Sequence, residues 1–356
     1  MSAAVETLVR TAPAWNEVGT KIRRDLLFVG AAVVAIAWNV CIAELLLRAS
    51  SPYPPVERVY RRDNSLSRYG LMPSRRVEYV YKGRHLVITT DAAAHRIVPG
   101  APVAVARKLY LIGDSQTFGW GLSDNETIAA SLQKRLGPQW QVINLGVPGY
   151  GPFAYAEILE KLPDDGITVV IQAELNDFQD AVVPRSQLTA RCGFLVTRST
   201  LAQSTPCFVL SSYLLAKAAD FAIDASGALP VPMGYQRHAR ATARVLRYRI
   251  ANLYERARLL RQNRVIVTTI PWDAAILPER LANYRPTLTR TERIVSLPAD
   301  LDLEPSLLAA RSKSELFQRR DSHLSAVGAA VVAERLAAAI SAGSDGEPTM
   351  PTAARR

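Results

Sequence analysis

The spacing of hydrophobic positions changes twice along the chain. Residues 26–47 are apolar almost throughout, and Glu44 is the only charged residue among them. From residue 108 onward, short apolar runs alternate with longer segments that have helical spacing. Strands that alternate with helices in this way predict a parallel sheet covered on both faces. The pattern therefore predicts one N-terminal transmembrane helix followed by an α/β domain.

The apolar segment 26–47 is long enough to cross a bilayer, because a hydrocarbon core of ~30 Å needs about 20 apolar residues in a helix. A cleaved signal peptide is the alternative, but its apolar region is usually shorter, about 7–15 residues. Lys21, Arg23 and Arg24 precede the segment, although arginines also follow it. By the positive-inside rule, the leader at residues 1–25 is cytoplasmic and most of the chain lies outside the cytoplasmic membrane.

The rest of the chain divides into three parts. Residues 48–104 contain proline-rich breaks and short alternating runs, which indicate a linker and a small β element. Residues 105–342 form the α/β domain, with an insertion at about 178–262, and the polar tail at 343–356 is predicted to be disordered. The predicted strands of the domain are Lys108–Ile112, Val142–Leu145, Ile167–Ile171 and Val265–Ile270, and the predicted helices are Glu126–Leu136, Phe153–Leu162, Ala239–Gln262 and Ser325–Ile340.

Composition and charge narrow the classes of function. The 356 residues include 43 Lys and Arg against 32 Asp and Glu, a formal net charge of +11. Nucleic-acid-binding proteins usually concentrate such charge in one stripe, but no long basic run occurs here. We therefore expect no nucleic-acid partner, and attribute the charge to biased residue usage or to attraction toward anionic lipid or acidic polymer.

Three cysteines without a CxxC pair exclude a zinc ribbon and a thioredoxin-like motif. Cys192 and Cys207 lie beyond the apolar segment, and a disulfide between them would require an oxidising compartment. Two separate buried thiols are the alternative. No histidine has a second ligand at metal spacing and no phosphate-binding glycine motif is complete, so we expect neither a metal nor a cofactor.

Four short polar clusters follow predicted strands or precede the last helix. They are Gly113–Ser115, Asn144–Gly149, Asn176–Asp177 and Asp321–His323. Because the carboxyl ends of parallel strands meet at one edge of a sheet, these clusters are expected to converge. A serine hydroxyl becomes a good nucleophile when a base takes its proton, and His323 oriented by Asp321 would do this for Ser115.

The same clusters contain donors for an oxyanion. Ser115 is predicted at a strand-to-helix turn, Gly149 offers an unobstructed backbone amide, and Asn176 offers a neutral side-chain amide. Gly146 and Gly151 are alternatives to Gly149. Each cluster also has a plain structural interpretation, because Gly-Asp-Ser can cap a helix and Asn-Asp favours turns.

These blocks resemble those of the SGNH (GDSL) hydrolase superfamily, in the same order. The long separation of the third and last blocks resembles the membrane-anchored cell-envelope members. The resemblance implies a flavodoxin-like three-layer α/β/α fold with a parallel sheet, a catalytic triad of Ser115, His323 and Asp321, and an oxyanion hole of Ser115, Gly149 and Asn176. Two features depart from the usual pattern, since Glu174 replaces the glycine that begins the third block, and Asp321 and His323 have one residue between them.

The resemblance implies a membrane-anchored serine esterase that acts on acyl esters, with acetyl esters of envelope carbohydrate as the expected substrates. An O-acyltransferase of cell-surface polysaccharide would use the same residues. A non-catalytic scaffold or carbohydrate-binding member of a polysaccharide assembly is a third hypothesis, which the intact triad disfavours. The expected partners are the carbohydrate substrate, the membrane and polysaccharide-assembly proteins.

Overall fold

The computed structural model describes most of the chain. The parts outside it are residues 1–14, 52, 66, 103–106, 164–166, 174–176, 178–187, 227–251, 253–263, 272, 278–299, 320 and 343–356. Glu174, Asn176, the tail and all but one residue of the predicted helix Ala239–Gln262 therefore lie outside the described residues.

Eleven strands and ten α-helices are described. The strands are β1 Tyr60–Arg62, β2 Tyr69–Leu71, β3 Arg76–Tyr81, β4 Arg84–Thr89, β5 Arg107–Ile112, β6 Trp140–Asn144, β7 Thr168–Ala173, β8 Leu188–Arg191, β9 Phe194–Thr197, β10 Arg264–Thr269 and β11 Leu301–Asp302. The helices are α1 Trp15–Ser50, α2 Ser115–Phe118, α3 Ile128–Leu136, α4 Pro152–Lys161, α5 Thr200–Ser204, α6 Cys207–Leu210, α7 Tyr213–Ser226, α8 Asp273–Ile276, α9 Glu304–Leu308 and α10 Ala326–Ala342.

The chain divides into two compact units. The first comprises residues 1–52 with Ser212–Leu214, and the second comprises residues 53–211 with 215–356. In the described part of the chain, one helix is long and apolar enough to cross a membrane, at Thr20–Ser50 within α1, and a signal sequence at this position would meet the same criterion. The helix extends beyond the apolar residues 26–47 at both ends and includes polar residues on either side.

Glu44, the isolated charge of the apolar segment, has a structural role within the first unit. Its carboxylate accepts hydrogen bonds from the backbone amides of Tyr213, at 2.9 Å, and Leu214, at 2.8 Å, and from the Ser212 hydroxyl at 2.9 Å. Arg48 donates to the same carboxylate at 2.7 Å. Because the first amides of a helix have no partner within it, Glu44 satisfies the N-terminus of α7.

The central sheet of the second unit has the strand order β11-β10-β7-β5-β6, and all its described pairs are parallel. When these five strands are renumbered 1 to 5 in chain order, their order in the sheet, read from the β6 edge, is 2-1-3-4-5. This is the strand order of a flavodoxin-like sheet. The predicted α/β class with a parallel sheet is therefore confirmed. The order reverses between β5 and β7, and such a switch point is where open α/β sheets bind ligands.

Both faces of the sheet are buried. Along β5, Leu109 and Leu111 join one core cluster, which contains residues of α3, α9 and α10, while Tyr110 and Ile112 join another, which contains residues of α4. Successive strand residues point to opposite faces, so this alternation produces two cores from one strand. The layers are helices, sheet and helices, and the second core also includes buried residues of β1–β4.

The segment before the sheet, for which a linker and a small β element are predicted, contains two strand pairs. β1 pairs with β2 and β3 pairs with β4, both antiparallel, and Tyr60, Tyr69 and Leu86 are fully buried. The compact second unit begins at residue 53 and so includes these strands. The physical reason is the apolar area of these strands, which is removed from water only by packing on the sheet layer.

Part of the insertion is also ordered. β8 and β9 form an antiparallel hairpin that contacts β1, and Arg62 donates to the Ala190 carbonyl at 3.0 Å. Cys192 and Cys207 form a disulfide with a Cα–Cα distance of 5.8 Å, which joins this hairpin to the start of α6.

Candidate active site

The turn after β5 places Ser115 at the first position of α2. Gly113 is required there, because a Cβ would lie 2.0 Å from Oγ1 of Thr117 and 3.0 Å from the Gln172 carbonyl oxygen. The Asp114 carboxylate accepts from the Gln116 amide at 3.1 Å and so caps the helix. The chain therefore turns sharply from strand to helix and presents Ser115 beside the switch point of the sheet.

The loop before α10 brings His323 to this serine. His323 Nε2 lies 2.8 Å from Ser115 Oγ, and His323 Nδ1 lies 2.5 Å from Asp321 Oδ1. The amide of His323 also donates to Asp321 Oδ1 at 3.1 Å. The three side chains form one continuous hydrogen-bonded row, in which the histidine bridges the hydroxyl and the carboxylate. The structure thus brings together the three residues predicted as the triad.

Burial and nearby charges shift the pKa values of His323 and Asp321 in opposite directions. Burial alone would lower the pKa of His323, but the negative charge and hydrogen bond of Asp321, with the charge of Asp114, raise it above the usual histidine value. Burial would likewise raise the pKa of Asp321, but His323, Lys82 and Tyr81 outweigh it and hold this pKa well below the usual range. Asp321 is therefore an ionised carboxylate that stabilises a positive charge on His323.

Three contacts around the triad come from residues that the sequence did not single out. Gln116 donates to the Ser322 carbonyl at 3.0 Å and accepts from the Leu324 amide at 2.9 Å, which ties the serine helix to the histidine loop. The Trp120 ring stacks on His323 with a centroid distance of 6.0 Å. Gln116 and Trp120 belong to none of the motifs, so only their closeness to Ser115 in the sequence could have suggested these roles.

The far side of Asp321 is occupied by the β3–β4 hairpin. Tyr81 donates its hydroxyl hydrogen to Asp321 Oδ2 at 2.5 Å, and Lys82 Nζ lies 3.2 Å from the same oxygen. Both oxygens of the carboxylate are therefore held by partners. Tyr81 belongs to a run whose alternation predicts a strand and nothing more, so no sequence signal pointed to this role.

The second block forms the turn after β6. The Asn144 side chain donates to the Thr117 carbonyl at 3.0 Å and accepts from the Gly146 amide at 3.0 Å. The Val147 amide donates to the Gly113 carbonyl at 3.2 Å. The amides of Gly146 and Val147 are thus occupied, so Gly146 is not a donor for an external oxyanion.

Gly149 differs from Gly146 in this respect. It has a φ of +76°, a left-handed conformation that favours glycine, and its backbone amide makes no hydrogen bond with another described residue. The backbone amide of Ser115, in the first turn of α2, likewise has no bonded acceptor in the described part of the chain. These are two of the three predicted oxyanion donors. The third, Asn176, lies outside the described residues, while Asp177 beside it is buried and accepts from the Tyr155 hydroxyl at 3.0 Å.

The geometry defines a class of protein: a flavodoxin-like α/β fold with a Ser-His-Asp row at its switch point. The family model for the SGNH hydrolase-like domain of the acetyltransferase AlgX matches residues 299–355, which include Asp321 and His323. The resemblance to SGNH hydrolases predicted from the four blocks is therefore confirmed.

Several solved structures resemble the chain at low identity. A lipase/acylhydrolase from Enterococcus faecalis is 16% identical, with 69% of this chain and 100% of that chain aligned at a TM-score of 0.37. The carbohydrate acetylesterase Est24 from Sinorhizobium meliloti is 12% identical, with 66% and 99% aligned at a TM-score of 0.38. The esterase EstA from Pseudoalteromonas sp. is 11% identical, with 66% and 97% aligned at a TM-score of 0.38. No curated protein sequence matches the chain.

Proposed function

We propose that the protein is a serine esterase that removes acyl groups, chiefly acetyl groups, from envelope carbohydrate. The observation that carries this proposal is the row Ser115–His323–Asp321, with 2.8 Å between serine and histidine and 2.5 Å between histidine and aspartate. The distance between serine and histidine lies within the range in which a general base acts on a nucleophile. The family-model match to an acetyltransferase supports acetyl as the transferred group.

In the proposed reaction, Ser115 Oγ attacks the ester carbonyl carbon while His323 Nε2 takes the hydroxyl proton. The carbonyl oxygen becomes an oxyanion, which the amides of Ser115 and Gly149 and the side chain of Asn176 would stabilise. Asp321 stabilises the imidazolium that forms. As the ester C–O bond breaks, His323 returns the proton to the sugar oxygen, and the acyl group stays on Ser115.

The second half of the reaction removes the acyl group. His323 takes a proton from water, the resulting hydroxide attacks the acyl carbon, and the free acid leaves as Oγ recovers its proton from His323. The Asp114 carboxylate lies 3.2 Å from Ser115 Oγ, so it competes with His323 for the single hydroxyl hydrogen. His323 is the base in this proposal because an imidazole is more basic than a carboxylate, and its Nε2 is also the nearer atom, at 2.8 Å.

The test uses the full chain in detergent with 4-nitrophenyl acetate. Ser115→Ala is expected to abolish release of nitrophenolate above background, whereas Ser204→Ala, at an exposed helix position, is expected to keep wild-type turnover. Mass spectrometry of the stopped reaction should find the acetyl group on the peptide that contains Ser115. Wild-type turnover by Ser115→Ala would contradict the proposal.

An O-acyltransferase is the second candidate, and the family model for an acetyltransferase favours it. The same acyl-enzyme would be attacked by a sugar hydroxyl in place of water, with His323 as the base. A polysaccharide acceptor added with an isotope-labelled acetyl donor distinguishes the two. Label in the polymer identifies a transferase, and label in free acetate alone identifies a hydrolase.

We further propose that α1 anchors the protein and that the second unit faces the oxidising side of the cytoplasmic membrane. The three basic residues before the apolar segment and the disulfide Cys192–Cys207 support this orientation. A C-terminal alkaline phosphatase fusion is expected to be active in cells and a cytoplasmic reporter inactive. The opposite pattern would contradict the orientation, and recovery of a soluble chain cleaved after α1 would identify a signal peptide instead.

A further inference from the structure

Two tyrosines of the β1–β4 segment direct their hydroxyl groups at the blocks of the proposed active site. Tyr69 lies in β2, and Tyr81 is the last residue of β3. Their strands precede the central sheet, and neither residue belongs to the four blocks. Tyr69 is fully buried, and both rings belong to or pack against the core cluster on the α4 side of the sheet.

Tyr81 holds one end of the triad. Its hydroxyl donates to Asp321 Oδ2 at 2.5 Å across a sequence separation of 240, while Asp321 Oδ1 faces His323 Nδ1. The Trp120 indole N–H donates to the Tyr81 oxygen at 3.4 Å, and the Trp120 ring stacks on His323. A carboxylate fixed at both oxygens has one orientation, and that orientation sets the direction of the imidazole.

Tyr69 holds one side of the predicted oxyanion hole. Its hydroxyl donates to the Pro148 carbonyl oxygen at 2.7 Å. The Tyr150 hydroxyl donates to the backbone carbonyl of Tyr69 at 2.5 Å, and the two rings pack edge to face with their centroids 5.4 Å apart. The Tyr69 hydroxyl is therefore fixed in place by its own surroundings.

The consequence for Gly149 follows from peptide geometry. The carbonyl of Pro148 and the N–H of Gly149 belong to one planar peptide group and point in opposite directions. A hydrogen bond that fixes the carbonyl therefore fixes the N–H as well. Any side chain at position 149 would crowd this hydrogen bond, because a Cβ there would lie 2.5 Å from Leu188 Cδ1 and 2.7 Å from the Tyr69 hydroxyl oxygen.

We infer that Tyr69 and Tyr81 are positioning residues of the reaction: Tyr81 fixes the carboxylate of Asp321, and Tyr69 fixes the direction of the Gly149 N–H. The inference rests on the proposed function and deepens it. It gives these two tyrosines of the β1–β4 segment a role in the proposed reaction. Neither tyrosine touches the reacting atoms, and each acts through the group it holds.

The test compares Tyr69→Phe and Tyr81→Phe in the full chain, because phenylalanine keeps the ring and removes only the hydroxyl. Tyr60→Phe is the matched control, since its buried hydroxyl donates to Glu57 at 3.4 Å and hydrogen-bonds to no described residue of the site. With 4-nitrophenyl acetate, we expect kcat to fall about 10- to 100-fold in both test variants with an unchanged KM. Affinity for phenylboronic acid, which mimics the tetrahedral oxyanion, should fall by the same factor.

The outcomes separate the inference from the proposed function. A kcat for either test variant equal to that of Tyr60→Phe overturns the inference for that residue, provided Ser115→Ala is inactive. Wild-type activity of Ser115→Ala overturns the proposed function and the inference together. Thermal midpoints report whether each variant folds. If Tyr81→Phe does not fold, Trp120→Phe replaces it, because it removes the N–H donor to the Tyr81 oxygen. A lower kcat is expected for Trp120→Phe, and an unchanged kcat overturns the inference for Tyr81.

Discussion

The ammonium group of Lys82 lies 3.2 Å from Asp321 Oδ2, on the side of the carboxylate away from His323. This positive charge favours ionisation of Asp321 and opposes protonation of His323. The charged groups that act on His323 are thus Asp321 and Asp114, which raise its pKa, and Lys82, which lowers it. In the proposed reaction, the pH range of activity depends on the burial of His323 and on the balance of these three charges.

Removal of the Lys82 charge should shift this range. The proposed reaction requires neutral His323, so the acidic limb of kcat/KM should report the pKa of that histidine in the free enzyme. In Lys82→Met the pKa of His323 should rise, so the limb moves to higher pH and activity at acidic pH falls. Lys82→Arg keeps the charge and should keep the limb. A limb at the wild-type position in Lys82→Met would contradict this assignment.

The three triad residues should act as a unit. Asp321→Asn should lower kcat by about 10⁴, because the imidazole loses the partner that fixes its tautomer. Ser115→Ala combined with His323→Ala should be no less active than Ser115→Ala alone, since the base has no function without the nucleophile. Initial rates with 4-nitrophenyl acetate measure both effects. Losses that multiply in the double variant would show that the two residues act independently.

Much of this arrangement could be predicted from the sequence because it depends on short-range order. A short apolar run followed by Gly113 and a helical pattern indicates a strand-to-helix turn, and parallel strands bring such turns to one edge. Asp321 and His323 are two residues apart, so their contact requires only a local turn. The bounds are less predictable, and β7 runs from Thr168 to Ala173 where Ile167–Ile171 was expected.

The contacts of the β1–β4 segment could not be predicted in the same way. The alternation in Arg76–Tyr81 determines which side chains share a face, but not which part of the domain that face meets. Tyr81 and Asp321 are 240 residues apart, and their contact arises from how the hairpin packs on the sheet layer. No periodicity encodes such a docking position. The same holds for Tyr69 and Pro148.

Arg96 is a further residue whose role arises from packing. Its side chain is fully buried, and it donates to the Phe118, Gly119 and Leu122 carbonyls and to Asp124 Oδ1 at 2.9, 2.8, 2.6 and 3.1 Å. These groups lie on the segment that follows the serine helix. Without the guanidinium, these four buried groups would lose a charged donor, and Asp124 would lose its buried ion-pair partner.

We therefore expect Arg96→Met to lower the free energy of unfolding by about 3–5 kcal/mol, as for a broken buried ion pair. Arg135→Met is the control, because its partner Glu334 has a side chain that is 74% exposed. That variant should change stability by less than about 1 kcal/mol. Urea unfolding of the detergent-solubilised chain, followed by tryptophan fluorescence, measures both. Equal midpoints for the two variants would contradict the structural role of Arg96.

Glu57 should make stability depend on pH. Burial raises the pKa of its carboxyl from 4.5 to about 7, despite a hydrogen bond from Tyr60 and the positive charge of Arg96, which lower it. Between these values the folded chain retains a proton that the unfolded chain has released. The stabilisation from this group is therefore complete below pH ~4.5, falls as the pH rises toward 7, and amounts to about 3 kcal/mol.

Glu57→Gln should remove this dependence, because glutamine keeps the shape of the side chain and does not titrate. The variant should be more stable than the wild type at pH 8, and the difference should shrink as the pH is lowered to 5. Glu315→Gln, at an exposed position, is the control and should follow the wild-type curve. Urea midpoints at half-unit pH steps give the comparison. If the midpoints of the wild type and Glu57→Gln differ by the same amount at every pH from 5 to 8, Glu57 does not bind the proton on folding.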